Sequence, residues 1–256
     1  MKKFEKIGKA VAVFLFWILI WYLLSLKVNK QLLLPSPVSV LTRMAELMKS
    51  AIFWEITFGT IGRIMLGVIV AVLLGLVFAL FGALSNVFSR LFSPINSIMT
   101  ATPVASFIIL ALVWMGRETV PVFISIIMVI PIVYRNVSSG IRNTDKKLIE
   151  LSKVYKVPFL KTVKNIYFPS VMPYFLSAFR SAMGLAWKAG IAAEVLTVPK
   201  NSIGKMIYES KLYLETTDLF AWTVVVILLS IIIEKIVMLI ISKAGRKYNV
   251  KEGDSL

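Results

Sequence analysis

A charged, basic stretch over residues 147–173, KLIELSKVYKVPFLKTVKNIYFPSVMP, stands between two long apolar segments. It is too polar to cross a membrane, and Leu148, Leu151, Val154, Tyr155 and Phe159 keep an approximate helical period within it. Pro158 falls two turns in and can end that helix. Such a segment offers an apolar knob and an acidic residue, Glu150 at a helix start, to another molecule. The plainer alternative is an ordinary polar loop. The second chemical candidate is a set of charges inside apolar runs: Arg63, Arg180, Lys188 and Glu194. Charges there are costly and face protein or water. Glu194 is the one to single out, either as a structural salt bridge near a helix end or as a pathway or gate residue.

What is missing narrows the chemistry. The chain has 256 residues without Cys or His, which removes thiol nucleophiles, Cys/His metal sites and a histidine base. Its 13 acidic residues are scattered singly, so a lipid-active enzyme is a poor reading, and no catalytic or metal site is expected. Hydrophobic residues make up 58%, charged residues 16%, and the mean hydropathy is +0.84. An all-α integral membrane protein follows, since lipid forces every backbone polar group to be satisfied within a helix. The net charge of +16 lies mostly beside apolar runs, where it suits an anionic membrane leaflet better than nucleic acid.

Six spans are expected, at 8–26, 57–83, 94–115, 119–137, 171–198 and 219–242. Residues 1–26 read as a retained first helix, because the apolar run is too long for a signal peptide. A core over 57–242 and a loop over 138–170 complete one transmembrane domain, 1–256. With both termini cytoplasmic, 17 of the 29 Lys and Arg residues fall inside and 8 outside. The positive-inside rule favours that orientation, with 138–170 in the cytoplasm and the protein multi-pass in the cell membrane. Outside, Pro37–Ser50 carries apolar residues at 40, 41, 44, 47 and 48, as a helix lying on the membrane surface would. The segment 199–218 reads as an external loop with a short helix.

Small residues recur every fourth position in two spans: Gly67, Ala71, Gly75, Ala79 and Ala83, then Ala178, Ala182, Ala186 and Gly190, with Glu194 continuing the second row. Such stripes let another helix approach closely. They serve packing within the chain, or a dimer seam or pathway wall.

The polar stretch resembles the EAA loop of ABC importer permeases, E-A-A-x3-G-x9-I-x-L-P. Glu150, Ile166 and Pro169 match. Leu151 and Ser152 replace the alanines, Phe168 the leucine and Lys156 the glycine, which implies a different turn displaced to 157–158. The whole chain is similar to permeases of the nitrate/sulfonate/taurine type. Leu34-Pro35-Ser36-Pro37, Arg63 with Gly67, Pro103-Val104-Ala105 with Trp114-Met115-Gly116, Leu185-Ala186-Trp187 with Ala193-Glu194-Val195-Leu196, and Thr217-Asp218-Leu219 resemble that family's motifs in order. The resemblance implies a type I ABC importer permease fold, with a cytoplasmic coupling helix and two permease copies that form a homodimer. It also implies cytosolic ATPase subunits that bind Mg-ATP, and an extracytoplasmic substrate-binding protein. The absent G-x4-G-K-[ST] loop agrees, so the chain needs no cofactor of its own. The cargo so implied is a small organic anion or a sulfonate- or nitrate-like solute. Glu150, Leu151, Ser152, Tyr155, Lys156, Ile166 and Pro169 become the ATPase-coupling candidates. Glu194, Arg63, Pro103 and Trp187 become pathway or gate candidates. Rival readings are a secondary carrier, for which no inverted repeat is seen, and the membrane scaffold of a vitamin importer.

Overall fold

The computed structural model describes residues 2–246, and all of its regular elements are helical. Residues 247–256, which hold part of the C-terminal basic cluster, lie outside the described residues. The helices are α1 (Lys2–Val28), α2 (Pro37–Met48), α3 (Ala51–Leu84), α4 (Asn86–Ala101), α5 (Val104–Trp114), α6 (Val120–Arg142), α7 (Lys146–Val154), α8 (Phe159–Thr162), α9 (Phe168–Thr197), α10 (Ile203–Leu212) and α11 (Thr216–Arg246). A π-helical turn, Val163–Tyr167, joins α8 to α9.

Helix ends follow from local chemistry. Ser36 accepts a hydrogen bond from the Ser39 amide and Pro37 sits in the first turn of α2, which together start that helix. Ser50 caps α3, and Ser85 ends α3 while capping α4. α2 does not simply lie on a membrane surface. Val40, Met44 and Leu47 pack toward the protein, Val40 being almost fully buried, while Leu41 and Met48 stay exposed. Arg43 then clasps Asp218 at the start of α11 with two bonds of 2.7 and 2.8 Å. This bidentate clasp had no sequence signal beyond two opposite charges near span ends.

α3, α6 and α9 form the core, with α6 between the other two. The small-residue stripes set their spacing. A Cβ at Gly67 would stand 2.6 Å from Ser125 Cβ, and one at Gly75 would stand 2.8 Å from Val133 Cβ. One at Gly190 would meet Ile64 Cγ1 at 2.7 Å. Ala71, Ala79, Ala182 and Ala186 are all fully buried. These stripes are therefore occupied within the chain and offer no free seam to a second copy; only Ala83 is exposed. Gly190→Leu is expected to cost about 1–3 kcal/mol through overpacking against Ile64 and to lower the thermal stability of the detergent-solubilised protein.

Among the described residues, four helices are long and apolar enough to cross a membrane: 11–28, 51–84, 120–142 and 216–239. A fifth span arises if α4 and α5 are counted together, but they meet at a 106° bend. The expected span over 94–115 thus falls on this bent pair rather than on a single helix. Pro103 lacks an amide donor and forces Thr102 into an extended conformation, φ −76° and ψ 131°, which ends α4. α9 has 30 residues, but Arg180, Lys188 and Glu194 lower its apolarity.

Candidate functional site

The polar stretch folds as a projecting tip. Asp145 accepts a bond from the Lys147 amide at 2.8 Å and starts α7. Glu150 is therefore mid-helix rather than at a helix start, and it is exposed. α7 ends at Val154, before Pro158, which instead opens α8. The turn between them is not displaced to 157–158. Lys156 itself is left-handed at φ 46°, its amide reaches Lys153 O at 3.0 Å, and the Val157 amide reaches Ser152 O at 2.8 Å. That pair of bonds is the Schellman closure usually made with glycine. A lysine there carries a steric cost of about 1–2 kcal/mol. Lys156→Gly is expected to raise thermal stability slightly or leave it unchanged, while Lys156→Val lowers it.

The tip presents apolar side chains to solvent. Leu151 is 53% exposed, Val154 76%, Tyr155 73%, Phe159 71% and Leu160 79%. A contiguous patch of this kind marks an interaction surface. Of the coupling candidates, Glu150, Leu151, Tyr155 and Lys156 sit on this tip. Ser152 does not face outward: it is only 7% exposed and bonds to Ile149 O, so it faces away from any partner. Ile166 lies in the π-turn, where its carbonyl accepts from Ser170 Oγ, and Pro169 lies in the first turn of α9. Both are half-buried and belong to the base that returns the chain to the bundle.

At the opposite end of α9, two of the pathway candidates meet. Glu194 is fully buried. Its carboxylate accepts from Arg63 Nε at 2.9 Å, from Thr60 Oγ1 at 2.9 Å and from the Gly204 amide at 3.2 Å. Arg63 continues to Asn201 O at 2.8 Å, and Thr60 also accepts from the Ile203 amide at 3.0 Å. A buried charge is tolerated only when paired and hydrogen-bonded in this way. The cluster fastens residues 199–204 onto α3 and α9. Gly204 is required there, because the place of a Cβ is filled by Glu194. Within this chain the fully buried carboxylate ties α9 to α3 and to Gly204. Trp187 is also buried, and its indole donates to Val226 O of α11 at 3.1 Å. Pro103 is exposed at the bend between α4 and α5. No cluster of acidic residues able to hold a metal occurs among the described residues.

The described residues thus form a bundle of helices, several long and apolar enough to span a membrane, with a projecting polar tip. Residues 71–247 match the family described as binding-protein-dependent transport system inner membrane component. The chain belongs to that family and is a permease subunit of an ABC importer, whose ATP hydrolysis resides in a separate subunit. It is 25% identical over 239 residues to the protein described as an aliphatic sulfonates transport permease, SsuC, of Bacillus subtilis (strain 168), covering 92% of this chain and 86% of that one. It is 21% identical over 234 residues to the taurine transport system permease protein TauC of Escherichia coli (strain K12), covering 89% and 84%. A crystal structure of an amino acid ABC transporter shares its fold, with a TM-score of 0.60 at 14% identity, covering 81% of this chain and 96% of that one.

Proposed function

We propose that the chain imports a small oxyanion, of the sulfonate type named for its relatives, through a pathway between two copies of itself. The proposal counts six spans, with α4–α5 as a bent third and α9 as the fifth, both termini cytoplasmic, and residues 1–256 as one transmembrane domain. ATPase subunits that hold Mg-ATP dock on the tip formed by α7 and α8. A substrate-binding protein docks on the opposite face, near α2 and α10. ATP-driven closure of the two tips then alternates access to the pathway. The observation that carries this reading is the exposed apolar tip, Leu151 to Leu160, on a basic loop. Nothing among the described residues covers that patch, and a cytosolic partner would.

Two experiments test it. The complex of permease, ATPase and binding protein should hydrolyse ATP faster with taurine or an alkanesulfonate than without. Stimulation only by solutes that carry no sulfonate or other oxyanion group would overturn the substrate class. For orientation, the chain's lack of cysteine makes labelling simple. Lys153→Cys and Lys211→Cys, both at exposed positions, should react from opposite faces of the membrane. Reaction from one face would remove the six-span topology.

A further inference from the structure

Lys188 is exposed on α9, and no ion pair to it occurs among the described residues. It lies nine residues before the end of α9 at Thr197, so about 14 Å along the helix at 1.5 Å per residue. In the orientation proposed above, on which this inference rests, that depth is near the centre of a hydrocarbon core about 30 Å thick. Helical side chains lean toward the N-terminus, which here is away from the nearer surface, so the ammonium is poorly placed to snorkel.

The face that carries Lys188 differs from the lipid-like faces of the same molecule. α3 exposes Leu66, Ile69, Leu73, Val77 and Leu80, and α11 exposes Ile227, Leu228, Ile231 and Ile232. α9 instead exposes Ser177, Ser181, Lys188 and Ala192 at helical spacing, with open space at Gly184, flanked by Arg180 on one side and by Leu185 and Leu196 on the other. A lysine facing lipid at this depth costs about 2.5–3.5 kcal/mol on insertion scales. Water on this face removes that cost.

The counter-charge cannot come from a second copy's spans. The expected spans contain only two acidic residues, Glu194 and Glu234. Glu194 is saturated by Arg63, Thr60 and Gly204. Glu234 lies 3.9 Å from Arg180. We infer that the Ser177–Ser181–Lys188–Ala192 face of α9 lines the water-filled pathway, and that Lys188 is the counter-charge for a singly charged oxyanion passing it. The clamp at Glu194 keeps Arg63 out of that role, and Arg180, also exposed on α9, lies 3.9 Å from Glu234.

The test uses single cysteines in the assembled complex, with and without ATP. Ser181→Cys and Ala192→Cys are treated with anionic sulfonatoethyl methanethiosulfonate and its cationic trimethylammonium analogue. Leu73→Cys and Ile231→Cys serve as lipid-facing controls. We expect both α9 cysteines to react and both controls to stay unreacted. Relative to a free thiol, the anionic reagent should be favoured about fivefold, a modest through-space effect of one charge. Lys188→Gln should abolish that preference and Lys188→Arg should keep it. Unreactive α9 cysteines, or a preference indifferent to Lys188→Gln, would overturn the inference. If the labelling comes out as expected but no anion stimulates wild-type ATP hydrolysis, the fault lies with the substrate class proposed above and not with the place of Lys188.

Discussion

Glu194→Ala should leave a protein that inserts into the membrane but loses about 3–5 kcal/mol of stability, seen as a lower melting temperature of the purified complex. The magnitude is that of breaking a buried ion pair by removing one partner. Arg63, only 18% exposed at its side chain, would keep its charge with only the more exposed Glu118, 3.9 Å away, as a carboxylate beside it. Thr60 and the Gly204 amide would lose an acceptor as well. Glu194→Gln separates the two contributions. The amide oxygen still accepts from Thr60 and Gly204, while the charge facing Arg63 is gone, so an intermediate loss is expected. The position of residues 199–204 should suffer with it, because Arg63 holds Asn201 O and Thr60 holds the Ile203 amide. Protease susceptibility at this loop, compared between the two variants and wild type, reads that directly. Equal melting temperatures for Ala, Gln and wild type would mean the cluster contributes nothing.

The contrast between Glu194 and Lys188 shows what the sequence can and cannot tell. Both are charges inside one apolar run, and composition treats them alike. The row Ala182, Ala186, Gly190, Glu194 placed Glu194 on the packed face of α9, and that face indeed meets α3 and α6. Its partner was not legible, because Arg63 is 131 residues away in sequence and pairing across helices leaves no local pattern. The Arg43–Asp218 clasp was hidden for the same reason, at a separation of 175. Periodicity also could not foresee the 106° bend at Pro103, since an apolar run looks continuous whether or not its helix breaks. At the tip, the amphipathic pattern of Leu148 to Phe159 was visible. Ser152 was misjudged because a polar residue in a polar helix gives no hint that it faces its own chain. Lys156 was misjudged because left-handed lysine is uncommon enough that a shifted turn looked cheaper.

The tip is where the second large effect is expected. Leu151→Asp combined with Tyr155→Asp should abolish copurification of the ATPase subunits while leaving the permease folded. Both side chains are more than half exposed, so neither change removes core packing. At a protein interface, truncating one well-seated aromatic or aliphatic anchor costs about 2 kcal/mol or more, and a carboxylate in its place adds the cost of desolvating a charge. Two such losses correspond to roughly a thousandfold in affinity. Glu150→Arg probes the same surface by charge alone. Glu150 stands among Lys146, Lys147, Lys153 and Lys156, so its reversal leaves only the N-cap Asp145 as a carboxylate on this part of the tip and should weaken docking by a smaller factor. Lys30→Ala, at an exposed position away from the tip, is the control and should copurify normally. The measurements are ATPase yield on the tagged permease and ATP hydrolysis stimulated by loaded binding protein. Retention of both in the Leu151/Tyr155 double variant would show that the partner grips elsewhere. The exposed apolar tip would then need another occupant, such as the headgroup region of the membrane, for which Phe159 and Leu160 beside Lys161 and Lys164 have suitable chemistry.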